Sequence, residues 1–275
     1  MKYAEFVKAG EMKIVDKPMP KIEKDDDVII KVLRTCVCGS DLWSYRSLED
    51  RDSSNDGHKV IGIIEEIGND ITTVKKGDFI IAPFTHGCGH CRACLAGFDG
   101  VCMSRDLGDN FSVGYQAEYL RYQHAQWSLV KIPGKPEDYI EGMLKSFLAL
   151  ADVMATGYHA ARVANVQPGD SVILLGDGAV GLSAIIAAKL RGAKQIISTS
   201  RHADHEALAH EFGATDNVAE LLNVMRKESR NCLMLLAAVL MQYLNVLVAS
   251  YLCNYCWWLI DHLCATSNCF IHESA

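Results

Sequence analysis

The sequence predicts an α/β chain in two folded parts, a barrel-like β-domain over residues 1–150 and a parallel βαβ unit over 151–220. Three observations carry this. Short β-branched runs bounded by turn residues fill the first part. In the second, a strand, a glycine-rich turn, an Ala-rich helix and another strand follow in order, the pattern of a parallel unit covered on both faces. The composition, 49% apolar and 22% charged, is that of a chain with a sizeable core, which excludes disorder and collagen.

The elements come in order. Val28-Ile29-Ile30-Lys31-Val32 and Val60-Ile61-Gly62-Ile63-Ile64 are strand-like runs. Gly77-Asp78 introduces a third, Phe79-Ile80-Ile81-Ala82, which Pro83 stops. No helical periodicity intervenes, so this part is expected to be strands and turns. Near residue 150 the pattern changes. Gln167-Pro168-Gly169-Asp170 is a turn, 171–175 an apolar strand, about 179–191 a helix and Gln195-Ile196-Ile197-Ser198 a second strand. A further helix over about 203–212 ends at Gly213, a residue suited to the left-handed helix stop.

A net charge of −7, from 27 Lys and Arg against 34 Asp and Glu, argues against a nucleic-acid partner. The opening MKYAEFVKAGEMKIVDK has no apolar signal core, which predicts a cytoplasmic location. There the 11 cysteines are expected as metal ligands or free thiols.

Cys88, Cys91, Cys94 and Cys102 have the spacing of a closed tetrahedral site, which zinc fills without redox chemistry. An iron–sulfur cluster could use four cysteines too, but nothing nearby suggests electron transfer. His86 and His90 lie in the same lobe and are expected at its surface. Gly176-Asp177-Gly178-Ala179-Val180-Gly181 follows a strand and opens a helix, the setting of a dinucleotide fingerprint. Its glycines permit the turn, the approach of a pyrophosphate and close helix–strand packing. At the end of the second strand stand Thr199-Ser200-Arg201-His202 instead of the acid that binds an NAD ribose. A hydroxyl followed by a cation favours NADP(H) through its 2′-phosphate. Three smaller groups, Cys38-Gly39-Ser40-Asp41, Gly57-His58 and Ala151-Asp152, are joined by no spacing argument.

Together and in this order, these motifs resemble the zinc-containing alcohol dehydrogenases of the medium-chain dehydrogenase/reductase superfamily, over residues 1 to about 220. The resemblance implies a GroES-like catalytic domain and a Rossmann domain, the latter truncated here, with the reaction in a cleft between them. It implies two zinc ions per chain: a catalytic one on Cys38, His58 and Asp152, and a structural one on the four-cysteine lobe. It also implies that Ser40 relays the substrate proton and that Asp41 orients His58. Gly176, Gly178, Ala179, Val180 and Gly181 would hold the dinucleotide, with Ser200, Arg201 and His202 at its 2′-phosphate. The implied reaction is hydride transfer between NADP(H) and a small alcohol, aldehyde or ketone. The competing expectation is a non-catalytic remnant that keeps only the structural zinc. Relatives oligomerise, and the resemblance leaves the oligomeric state of this chain open.

The sequence departs from the family at three places. Lys59 stands where relatives carry Glu directly after the zinc-binding His. An ammonium there is expected to weaken catalytic zinc binding, unless it swings to solvent. Trp43 replaces the outer histidine of the proton path and is a candidate pocket wall. Residues 221–275 form an apolar, Cys-rich tail with no βα alternation, and an aberrant, frameshift-derived tail is the favoured reading. This leaves half a Rossmann sheet with an unpaired strand edge. A membrane segment over 232–260, and a metal site from Cys253, Cys256, Cys264 and Cys269, are the disfavoured readings of the tail.

Overall fold

The computed structural model describes residues 1–48, 57–104, 114–219 and the backbone of 232–235. The chain divides into two compact units, Met1–Asp152 and the residues from Val153 onward.

In the first unit β1 (Lys2–Lys8) and β2 (Glu11–Asp16) form an antiparallel hairpin. The main sheet is built from β3 (Val28–Thr35), β4 (Val60–Ile67), β5 (Phe79–Ala82), β6 (Tyr119–Tyr122) and β7 (Val130–Lys131), in the order β6-β3-β4-β5-β7 with every pair antiparallel. Successive strand residues point to opposite faces. Here both faces are apolar, which is why the strands read as continuous apolar runs. Val60, Ile64, Ile80 and Ala82 pack one side with Leu120 and Tyr122. Ile61, Phe79 and Ile81 pack the other with Leu144 and Leu148. Gly62 lies where β3 and β4 approach closely: a Cβ there would stand 2.5 Å from the carbonyl oxygen of Lys31.

The unit is less purely β than the sequence suggests. Asp41–Tyr45 (α1) and Arg92–Leu95 (α2) are short helices, and Glu141–Leu150 (α3) is a ten-residue helix that covers the second face. Its signal is slight, since only Leu144 and Leu148, one turn apart, are fully buried along it.

The second unit holds α4 (Val153–Val163), β8 (Ser171–Leu174), α5 (Ala179–Leu190), β9 (Gln195–Thr199), α6 (Ala203–Phe212), β10 (Asp216–Val218) and β11 (Cys232–Leu235). The four strands are parallel in the order β10-β9-β8-β11. Counted within the unit this is 3-2-1-4, the doubly wound arrangement, whose order reverses beside β8. Ala184, Ala187 and Ala188 of α5 are fully buried, so its small side chains let the helix lie close on the sheet.

β11 corrects one expectation. The edge of β8 is paired, with Cys232 opposite Ser171 and Leu235 opposite Leu174. A four-residue strand in a sheet buried on both faces carries no period, so Cys-Leu-Met-Leu is indistinguishable in sequence from any apolar run. The rest of the tail lies outside the described residues, and with it the readings of a membrane segment and of a second cysteine site. Among the described residues no helix is long and apolar enough to cross a membrane.

One buried charge fastens the start of β3. Asp27 is fully buried; its Oδ2 accepts from the N–H groups of Glu23 and Lys24 and from Arg121 Nε at 2.7 Å. Asp27→Ala would leave three donors unanswered, one of them a guanidinium that is largely buried. Its expected cost is about 2–4 kcal/mol, read as a lower urea midpoint at unchanged slope.

Candidate functional site

The first cluster is assembled by turns at the ends of three elements. Cys38 lies in the turn from β3 to α1, and its N–H donates to Asp41 Oδ2 at 2.7 Å, which folds the turn over. Ser40 caps the start of α1, with its N–H on the Cys38 sulfur. His58 sits just ahead of β4, after Gly57 at φ +92°, where a Cβ would stand 2.6 Å from the Gln116 side chain. Asp152 follows the end of α3, which is tied down by the N–H of Phe84 on the Ala151 carbonyl at 3.1 Å.

These turns bring together three groups that the sequence could not connect. One donor atom from each of Cys38, His58 and Asp152 lies within 4.8 Å of the others. Asp152 Oδ2 is 3.9 Å from Cys38 Sγ and 3.3 Å from His58 Nε2. On the far side of the ring, His58 Nδ1 is 3.3 Å from Asp41 Oδ1. The carboxylate therefore turns Nε2 toward the cluster, the arrangement that fixes a metal-binding imidazole.

Lys59 does not swing to solvent. It is 2% exposed, and its Nζ lies 2.9 Å from Asp152 Oδ2 and 3.2 Å from His58 Nε2. It also hydrogen-bonds Cys38. The ammonium is therefore inside the cluster. Burial alone would push the Cys38 thiol up, but hydrogen bonds from His58 and Lys59 and the lysine charge bring its pKa down to about 6. Burial likewise opposes charge on His58 and Asp152. Hydrogen bonds to Asp152, Asp41 and Cys38 nevertheless raise the imidazole, and His58 and Lys59 together lower the Asp152 carboxyl. Thiolate, imidazole and carboxylate are a donor set suited to zinc with an open fourth position.

The second cluster is the cysteine lobe. Cys91 Sγ lies 3.5 Å from Cys94 Sγ and 3.8 Å from Cys102 Sγ. Zinc–sulfur bonds of about 2.3 Å at tetrahedral angles separate sulfurs by about 3.8 Å, so the lobe has the right size. N–H groups aim at the sulfurs: Cys91 at Cys88, Cys88 at Cys102, and Met103 at Cys91, all at 3.3–3.4 Å. Backbone N–H donors of Cys94 and Met103 bring Cys91 down to about 5. Cys94 is driven up to about 12, first by burial and then by the neighbouring sulfurs, a penalty that a dication would reverse. His90 is exposed as expected, but His86 is not a surface residue. It is 2% exposed, with Nδ1 2.7 Å from the Gln123 carbonyl and its ring against Tyr122.

The third site is the glycine loop of the second unit. Gly176 has φ +109°, and a Cβ on Gly181 would stand 2.2 Å from the Gly176 carbonyl oxygen. Gly178 caps α5, whose first internal bond runs from Leu182 N–H to Gly178 O. The N–H groups of Ala179, Val180 and Gly181 thus face the open helix end, which suits a phosphate. Arg201 and His202 are exposed beyond β9. Ser200 is buried, and its hydroxyl donates to Asp177 Oδ2 at 2.6 Å instead of facing outward. Asp177 also lies 3.0 Å from His205 Nδ1. This carboxylate was hidden in a variable position of the fingerprint.

Residues 24–134 match the alcohol dehydrogenase GroES-like domain family. A medium chain reductase/dehydrogenase of Acremonium sp is 32% identical over 224 residues, 78% of this chain and 74% of that one. The chain belongs to the zinc-containing alcohol dehydrogenases of the medium-chain dehydrogenase/reductase superfamily. An uncharacterized zinc-type alcohol dehydrogenase-like protein of Bacillus subtilis is 39% identical over 199 residues, covering 67% of this chain and 52% of that protein. The alcohol dehydrogenase of Thermus sp. ATN1 superimposes with a TM-score of 0.73 at 28% identity, covering 82% of this chain and 66% of that one. The chain spans about half the length of several relatives it matches.

Cys94→Ser removes one of four sulfurs placed where they would hold a zinc ion, and is expected to lower zinc content by one per chain. Metal analysis after gel filtration reads the loss, and the thermal midpoint falls by several degrees with it.

Proposed function

We propose that this chain is a zinc-dependent oxidoreductase that exchanges hydride between a small alcohol, or its aldehyde or ketone, and NADP(H). The observation that carries the reading is the convergence of Cys38, His58 and Asp152 from separate segments, with Asp41 behind the imidazole. Cys38, His58 and Asp152 would hold a zinc ion, which supplies Lewis-acid polarisation of a substrate oxygen when bound. Cys88, Cys91, Cys94 and Cys102 would hold a second, which staples the lobe.

The chain's own groups do the rest. Asp41 fixes the ring of His58 and stops it rotating away. Ser40, two residues from Cys38, is the hydroxyl that takes the substrate proton on its way out. The α5 terminus would hold a dinucleotide's pyrophosphate, with Gly176, Gly178 and Gly181 leaving room for it. A bound nicotinamide would supply the redox chemistry. Preference for NADP(H) rests on Arg201, with His202 beside it. Asp177 opposes it as a carboxylate held ionised, against the pull of burial, by Ser200 and His205.

The buried lysine favours one other reading, a chain that folds around its structural zinc and turns nothing over. Turnover separates the two. With zinc in excess, the protein should oxidise NADPH in the presence of short aldehydes or ketones, and His58→Ala should lose at least a hundredfold in kcat. Absence of turnover despite full zinc loading supports the remnant. Cofactor preference is read from the same assay. Arg201→Ala should raise KM for NADPH roughly tenfold, whereas Asp177→Asn should lower it a few-fold by removing a like charge.

A further inference from the structure

Lys59 is the one member of the first cluster that zinc binding cannot use. Its ammonium hydrogen-bonds Asp152 and Cys38 and lies 3.2 Å from His58 Nε2, so it stands against all three proposed metal ligands at once. A zinc ion bound by the same atoms at about 2.0–2.3 Å would need the space that Nζ fills, and two cations cannot share it. Nor can the lysine easily leave. It directly follows His58 and precedes the first residue of β4, Val60, so its backbone is anchored on one side to a paired strand. Its side chain is 3% exposed, and a withdrawn ammonium would lose its bonds to Asp152 and Cys38 before reaching water.

We propose that Lys59 is a tethered competitor of zinc: its ammonium occupies the centre of the Cys38, His58 and Asp152 cluster, so that the chain holds one zinc firmly and takes a second only when Lys59 withdraws. The inference rests on the reading of that cluster as a metal site. The second zinc is then bound with an affinity lowered by the fraction of molecules in which the lysine has moved out. This predicts two classes of zinc in one chain, one locked in four sulfurs and one exchangeable.

The test is zinc content by mass spectrometry after dialysis against a moderate chelator, on the full chain and on Lys59→Met, which keeps the volume and removes the charge. The wild-type chain should retain one zinc, and Lys59→Met should retain two, with at least a hundredfold tighter second site in a competition titration. Cobalt substitution gives an independent signature: the variant should gain a second set of thiolate-to-cobalt bands, which His58→Ala in the same background abolishes. A wild-type chain that already keeps two zinc ions through dialysis overturns the competitor and leaves the metal site standing. A Lys59→Met chain that folds, stays at one zinc and shows no added cobalt band overturns both. Should that variant fail to fold, Lys59→Gln, which keeps a polar group and removes the charge, carries the same comparison with the same two outcomes.

Discussion

One carboxylate oxygen organises the first unit. Oδ2 of Asp152 lies within hydrogen-bonding or sulfur-contact range of Cys38, His58 and Lys59, and so fastens the turn after β3, the entry to β4 and the end of α3 to one point. Such a knot of buried charge is costly to desolvate and holds only when every member is answered. Here two cations meet the anions Asp41, Asp152 and a thiol whose pKa is brought down. The elements carrying these groups are set by the sheet, whose two apolar faces fix where each turn emerges. The chemistry of the cluster is thus inherited from strand register.

The cysteine lobe obeys a different constraint. Its four sulfurs crowd to within a few ångströms, and backbone donors favour negative charge on Cys88, Cys91 and Cys102. Four thiolates at that spacing repel one another without a cation among them. The first cluster carries its own counter-cations, whereas the described donors at the lobe's sulfurs are chiefly backbone N–H groups. That difference in built-in charge separates the two sites more sharply than their ligand types do.

Much of this was legible in the residues and some was not. Cysteine spacing announces a lobe because its ligands are local in sequence, and the glycine fingerprint announces a βα turn for the same reason. The cluster of Cys38, His58 and Asp152 depends on contacts across 114 residues, which no local pattern encodes. Family resemblance supplied that grouping. Lys59 was visible as an odd residue, but its inward rotamer follows from burial against β4 and Asp152, which only coordinates reveal. His86 is buried where a surface place was expected, since a polar side chain beside a turn can face either way and the Gln123 carbonyl decides it; Ser200 likewise bonds Asp177. β11 escaped because short buried parallel strands have no signature beyond hydrophobicity.

That last strand also bears on the order of assembly. Ser171 and Cys232, paired in the sheet, are 61 residues apart, whereas Ser171 and Gln195 are only 24 apart. Once β8, β9 and β10 have formed, the span left to close runs from Val218 to Cys232, 14 residues. Closing that shorter loop is cheaper by roughly 1.3 kcal/mol than closing the full span in an unfolded chain. By loop-closure entropy the parallel sheet is expected to grow outward from its glycine loop, with β11 (Cys232–Leu235) as the last strand to join.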